Sequence, residues 1–182
     1  IMANGTLKVS NIQTSSGSGT ITVGASGETV DFSNGTITLN SAMKNNPAVL
    51  ATSSSSQSIS NNSHTQVTFD TETIDTDSAF ASNTFTVPSG KGGMYFISIR
   101  GSMQGIDAGE FIQLRVYVNG TASNFFENRM TAYTTDVEFK FSGSGAINLS
   151  AGDTIKYYVY QNSGDSQNLD SAGLYIFRLI GA

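Results

Sequence analysis

Two segments toward the C-terminal end are apolar at almost every position: Gly93-Met94-Tyr95-Phe96-Ile97-Ser98-Ile99 and Gly173-Leu174-Tyr175-Ile176-Phe177-Arg178-Leu179-Ile180. A strand in a two-layer antiparallel sandwich normally alternates, because one of its faces is wet. Here both faces call for cover. Helices are not expected to supply it, since the chain is rich in Gly, Ser, Thr and Asn, which favour turns and short strands. A second copy of the same chain is the expected cover. Along 173–180 the period of two puts Leu174, Ile176, Arg178 and Ile180 on one side. Tyr175, Phe177 and Leu179 fall on the other. One set fills the sandwich core and the other meets sister chains.

Composition narrows the function classes. The net charge of −5 argues against nucleic acid, which needs a basic face. With no cysteine, neither a disulfide framework nor a thiolate metal site can form. No apolar run approaches the roughly 20 residues of a membrane span. The opening Ile1-Met2-Ala3-Asn4-Gly5 has no basic and apolar leader pattern, so no signal peptide is expected. The 182 residues fit one ordinary domain and a smaller piece.

The smaller piece is expected at residues 1–51. Gly19, Gly27 and Gly35 each open a Thr-rich apolar dyad, giving an imperfect repeat of eight residues. Two or three hairpins, or a β-spiral-like segment, would produce this pattern. Two buried apolar side chains contribute about 3–6 kcal/mol per unit, against roughly 8–16 kcal/mol to order eight residues. Such a strip therefore needs sister chains or a host surface. Residues 41–51 read as one helical turn broken at Pro47. Residues 52–63, Ser-rich with Ile59 alone, read as a linker.

From His64 onward, strands are predicted near 66–70, 83–88, 93–100, 110–118, 136–141, 146–149, 154–161 and 173–180. Asn119-Gly120 is a strong hairpin signal. Eight strands with no helix between them predict a jelly-roll β-sandwich over 64–182 in an all-β protein.

Four pieces of this region, in order, resemble the jelly roll of tumour necrosis factor and of the complement globular head. They are Gln66-Val67-Thr68-Phe69-Asp70, Phe85-Thr86-Val87-Pro88 followed by Gly93-Met94-Tyr95-Phe96-Ile97, Val116-Tyr117-Val118-Asn119-Gly120, and Leu149-Ser150-Ala151-Gly152-Asp153-Thr154-Ile155. The ending Gly173-Leu174-Tyr175-Ile176 resembles the family's last strand. Ile97 departs from the usual Phe, and the collagen-like stalk is missing. The resemblance implies a homotrimer with Tyr95, Ile97, Tyr175, Phe177 and Leu179 at its axis, although alternation alone leaves both parities open. Gly5-Thr6-Leu7-Lys8-Val9-Ser10-Asn11-Ile12-Gln13 resembles the openings of bacteriophage fibre and virion proteins. That implies a virion-surface location, with residues 1–51 held by capsid or tail proteins.

Chemistry is sparse. His64 is the sole histidine, so no Ser-His-Asp arrangement can be built without it; an exposed position is expected. Asp70, Glu72, Asp75 and Asp77 cluster after the first predicted strand. Hard oxygen ligands of this kind suit Ca²⁺, and some members of the resembled family bind it, but a solvated acidic loop is the commoner meaning. No other cofactor is expected. Gly17-Ser18-Gly19 and Gly143-Ser144-Gly145 lack the helix start that a phosphate loop needs. Tyr157-Tyr158-Val159-Tyr160 offers rings for sugar stacking or simply for packing. The reading that results is a non-enzymatic virion protein of the head-fibre, decoration or short tail-fibre type. It stabilises the particle or attaches it to a host-surface glycan. A lectin-like bacterial surface module is the alternative.

Overall fold

The computed structural model describes residues 46–179 other than Asp136, and before them only Gly27, Thr29 and Thr36. The predicted glycine repeat, the anchoring segment up to residue 45, and Ile180 lie outside the described residues. The unit that contains 46–179 runs from Leu39 to Ala182.

Thirteen strands form two antiparallel sheets among the described residues. Sheet A runs β11 (Val137–Leu149), β7 (Gly93–Ile106), β13 (Gln167–Arg178), β1 (Ala48–Ser53), β4 (Thr71–Asp75), with β2 (Gln57–Ile59) beside β13. Sheet B runs β10 (Asn128–Thr131), β8 (Phe111–Val118), β12 (Thr154–Gln161), β6 (Thr84–Thr86), β5 (Phe80–Ala81). Short β3 (Thr65–Gln66) pairs with β12, and β9 (Thr121–Ala122) with β8. The first and last strands, β1 and β13, are neighbours. This is the predicted all-β jelly-roll sandwich.

The core lies between the sheets. Val49, Ala51, Ile97, Ile99, Leu174 and Ile176 fill it from sheet A; Phe85, Leu114, Val116, Ile155, Tyr157 and Val159 fill it from sheet B. Each fully buried side chain of this size contributes about 1.5–3 kcal/mol. Burial alternates strictly along β1 and β12, as a strand with one face in the core requires. The Asn119-Gly120 turn joins β8 to β9 with positive φ at both residues, 51° and 78°. That is the backbone a two-residue hairpin of this twist demands.

Several boundaries differ from the sequence expectation. Residues 48–51 do not form a helical turn; they are the strand that covers one edge of β13, with Val49 and Ala51 fully buried. Residues 52–63 are not a linker. They end β1 and form β2, Ile59 is fully buried, and the Gln57 amide bonds to Gln66 O at 2.8 Å and Thr68 N at 2.9 Å. The jelly roll therefore begins by residue 48, not 64. The predicted strand at 66–70 is a crossing between sheets. Val67 N–H donates to Tyr157 O in sheet B, and Asp70 N–H to Thr52 O in sheet A. The predicted strands 136–141 and 146–149 are one strand, β11. Within it Gly145 is favoured by close approach: a Cβ there would stand 2.9 Å from the Phe126 ring.

Candidate functional site

The two-faced strands resolve by register. On β13, Leu174 and Ile176 are fully buried, and Phe177 points outward with 36% of its surface exposed. Residues directly opposite in an antiparallel pair share a face. Ile97 faces Ile176 and Tyr95 faces Arg178, so both belong to the inner set. Tyr95 and Ile97 are therefore not at an outer interface, contrary to the sequence expectation; both are fully buried. The Tyr95 hydroxyl donates to Lys91 O at 2.6 Å, and burial pushes its pKa up to about 12. Between them the outward residue of β7 is Phe96, which pairs with Phe177.

Tyr175, Phe177 and Leu179 stand on the outer side, as their parity requires. One row across sheet A runs Ala146, Phe96, Phe177, Ala48; the next includes Ser98, Tyr175, Leu50 and Ile74. Five large hydrophobic side chains are exposed among the described residues, and four of them (Ile74, Phe96, Phe177 and Leu179) belong to this outer face or its edge. Farther along, the same face turns polar. Arg100 lies 5.5 Å from the Tyr175 ring centre, and a half-open depression of about 440 Å³ is lined by Arg100, Ser102, Lys140, Ser142 and Ser171.

The four acidic residues predicted as a calcium site do not converge. Asp70 Oδ2 accepts from Ser54 N at 3.1 Å and Ser55 N at 2.9 Å. Hydrogen bonds from the Ser55 hydroxyl and N–H, with lesser ones from Thr71 and Ser54, hold its pKa near 2 against the opposing effect of desolvation. Asp75 instead accepts from Ala79 N and Phe80 N at 2.8 and 3.2 Å. Asp77 pairs with Lys91 at 3.7 Å, and Glu72 is exposed on β4. Among the described residues no three His, Cys, Asp or Glu side chains are placed to hold a metal. The sequence left both readings open because carboxylates in a loop look alike, whether they bind a cation or tie down the loop's own amides.

The outer face of sheet B carries a second aromatic group, of which the sequence showed only the tyrosine run. Tyr157 points inward, fully buried, whereas Tyr158 and Tyr160 point outward and stay half-buried. Tyr158 lies 4.2 Å from the Tyr117 ring, and Phe111 stacks on Tyr160 at 5.5 Å. His64 is not an exposed residue at a linker edge; it is half-buried, with its ring 5.0 Å from Tyr160 and 6.1 Å from Tyr117. The Arg129 guanidinium sits 3.6 Å above the Phe111 ring. Arg115 is neutralised by Glu127 at 2.8 Å, and Gln113 also donates to Glu127.

The motifs that carried the family resemblance are joined in space. Val87 N–H donates to Asp153 O and Gly152 N–H to Val87 O, both at 2.9 Å. The Asn119 amide donates to Asp153 at 2.7 Å, and that bond, with one from Ser150 N–H, holds the Asp153 carboxyl below its usual range. The jelly roll superposes on the globular domain of zebrafish complement 1qA with a TM-score of 0.56 at 17% identity, over 75% of this chain and 100% of that one. It also superposes on the Eiger TNF of S. frugiperda, with a TM-score of 0.52 at 15% identity, over 75% and 96%. The likeness is one of fold. No protein-family model and no curated protein sequence matches the chain.

Proposed function

We propose that this chain is a non-enzymatic, homotrimeric display protein that carries its jelly roll on the surface of a bacteriophage particle. The observation that carries the assembly is the apolar outer face of sheet A. The inner face of that sheet already fills the core, and Phe96, Phe177, Leu179 and Ile74 still leave more than a third of their surface exposed. Exposed apolar clusters of this kind mark protein interfaces. A closed ring of identical copies covers the same face in each. The number three follows from the sequence resemblance to tumour necrosis factor and the complement head.

The virion location is supported by the resemblance of residues 5–13 to phage structural proteins. The non-enzymatic reading draws support from His64, the sole histidine, whose ring packs among tyrosines with no carboxylate partner among the described residues. Display of a trimeric head serves particle stabilisation or host attachment. Native mass spectrometry of the intact chain tests the assembly: three copies are expected, and a single copy contradicts it. Electron microscopy of intact particles labelled with an antibody against the chain tests the location. Label on the head or tail surface is expected, and unlabelled particles contradict the virion reading.

A further inference from the structure

The outer face of sheet B is the wet side of the sandwich, and polar residues would suffice there. It carries instead Phe111, Tyr117, Tyr158 and Tyr160 on the adjacent strands β8 and β12. Phe111 and Tyr117 are six residues apart on one strand, so the aromatic strip spans about 20 Å at 3.3 Å per residue. The Tyr117 and Tyr158 hydroxyls have no hydrogen-bond partner among the described residues, while that of Tyr160 donates to Asn62 at 2.8 Å. Rings with free phenols on a shallow face present apolar planes and donors together.

Charge on this face opposes that of the chain. The protein carries a net −5, yet the strip is flanked by cations. Arg129 covers Phe111 at one end, and Lys156 stands opposite Tyr117 at the other. Neither has an acidic partner among the described residues, and Glu127, a carboxylate beside the strip, is taken by Arg115. Beside Arg129 opens a half-open cavity of about 510 Å³, bordered by Thr131, Met130, Phe139 and Tyr133. Tyr133 is 96% exposed, a position that folding does not explain.

From this geometry we infer that the outer face of sheet B binds an acidic polysaccharide. The chain of sugars runs along the strip from the Tyr133 cavity to Lys156. Pyranose rings lie against Tyr117 and Tyr158, their free phenols bond to sugar hydroxyls, and Arg129 and Lys156 take carboxylates as charge-assisted bonds. Charge complementarity selects an acidic glycan over a neutral one. The inference deepens the display reading and rests on it in one respect: a trimer closed through sheet A leaves sheet B facing outward.

Calorimetric titration of the full chain with a galacturonic acid hexamer is the test, with the carboxyl-reduced hexamer as the neutral probe. The acidic hexamer is expected to bind roughly tenfold more tightly than the neutral one. The double variant Arg129→Gln/Lys156→Gln should lose about tenfold in affinity, and Tyr133→Ser a smaller factor, both keeping the wild-type circular dichroism. Phe177→Asp should bind each hexamer with unchanged affinity per chain, which separates this site from the assembly face. No binding of the acidic hexamer overturns the proposal, as does binding that these substitutions leave intact. Equal or tighter binding of a single-stranded oligothymidylate of the same charge would also overturn it, because the face would then be an unspecific polyanion surface.

Discussion

Phe177 lies directly across from Phe96 in the β7–β13 ladder, and both rings point away from the core. One position earlier, Ile176 lies across from Ile97, with both side chains fully buried. Neighbouring positions on one strand therefore face different partners. A charge placed at each should have different consequences. Ile176→Asp buries a carboxylate without a partner, at a cost of several kcal/mol, and should yield unfolded protein. Phe177→Asp should keep the wild-type circular dichroism. Equal loss of structure in the two variants would contradict the assigned faces.

Residues 46–63 belong to the sandwich, so removing them should be destructive. A chain that starts at residue 64 loses Val49, Ala51 and Ile59 from the core and uncovers an edge of β13. It should not fold, whereas a chain that starts at residue 39 should. Limited proteolysis should leave 52–63 intact, and early cleavage there would contradict its place in sheet A.

These elements show how far the sequence was legible. The Asn119-Gly120 hairpin could be read because turn chemistry is local, and the Leu149–Asp153 turn through its resemblance to a family motif. The strand predicted near 136–141 is the start of β11. Strand β1 could not be read, because it sits between β4 and residues 172–177, the latter 119 to 129 positions away, and Ser53 marks the onset of a Ser-rich run. The faces of Tyr95 and Ile97 were hidden for another reason. An apolar run carries no parity of its own, and the pairing of Ile97 with Ile176 supplies it. On sheet B the tyrosine run gave away part of the aromatic strip, but Phe111, His64 and Arg129 join it only through strand pairing.

The fully buried Gln161 ties the segment after β2 to the end of β12. Its amide donates to Ile59 O at 3.0 Å and Asp165 O at 2.8 Å, and accepts from Ser163 N at 2.6 Å. Leucine fills the space but leaves these groups unpaired. Gln161→Leu should lose about 1–3 kcal/mol for each group that stays dry. Urea unfolding measures it, and an unchanged midpoint would contradict the network.

Asp70 links stability to acid. Its folded pKa, about 2, lies below the ordinary 3.8. A depressed carboxyl stabilises the fold above the unfolded value, and that contribution fades as pH falls through the folded one. Wild-type protein should therefore lose stability between about pH 4 and pH 2. Asp70→Asn should be less stable at neutral pH and show less of this decline. Thermal midpoints at pH 6, above this window, and at pH 2.5, inside it, make the comparison.

Calcium should leave the fold unchanged, because Asp70 and Asp75 hold backbone amides and Asp77 holds Lys91. Melting in EDTA and in excess Ca²⁺ should give the same midpoint. A rise with calcium would restore the 70–77 loop as a metal site.

Assembly through the outer face of sheet A is the central claim, and sedimentation equilibrium of the intact wild-type chain at micromolar concentration tests it most directly. The account predicts a species of three times 19.2 kDa, reduced to a folded monomer by Phe177→Asp. A well-folded wild-type monomer under those conditions would contradict it.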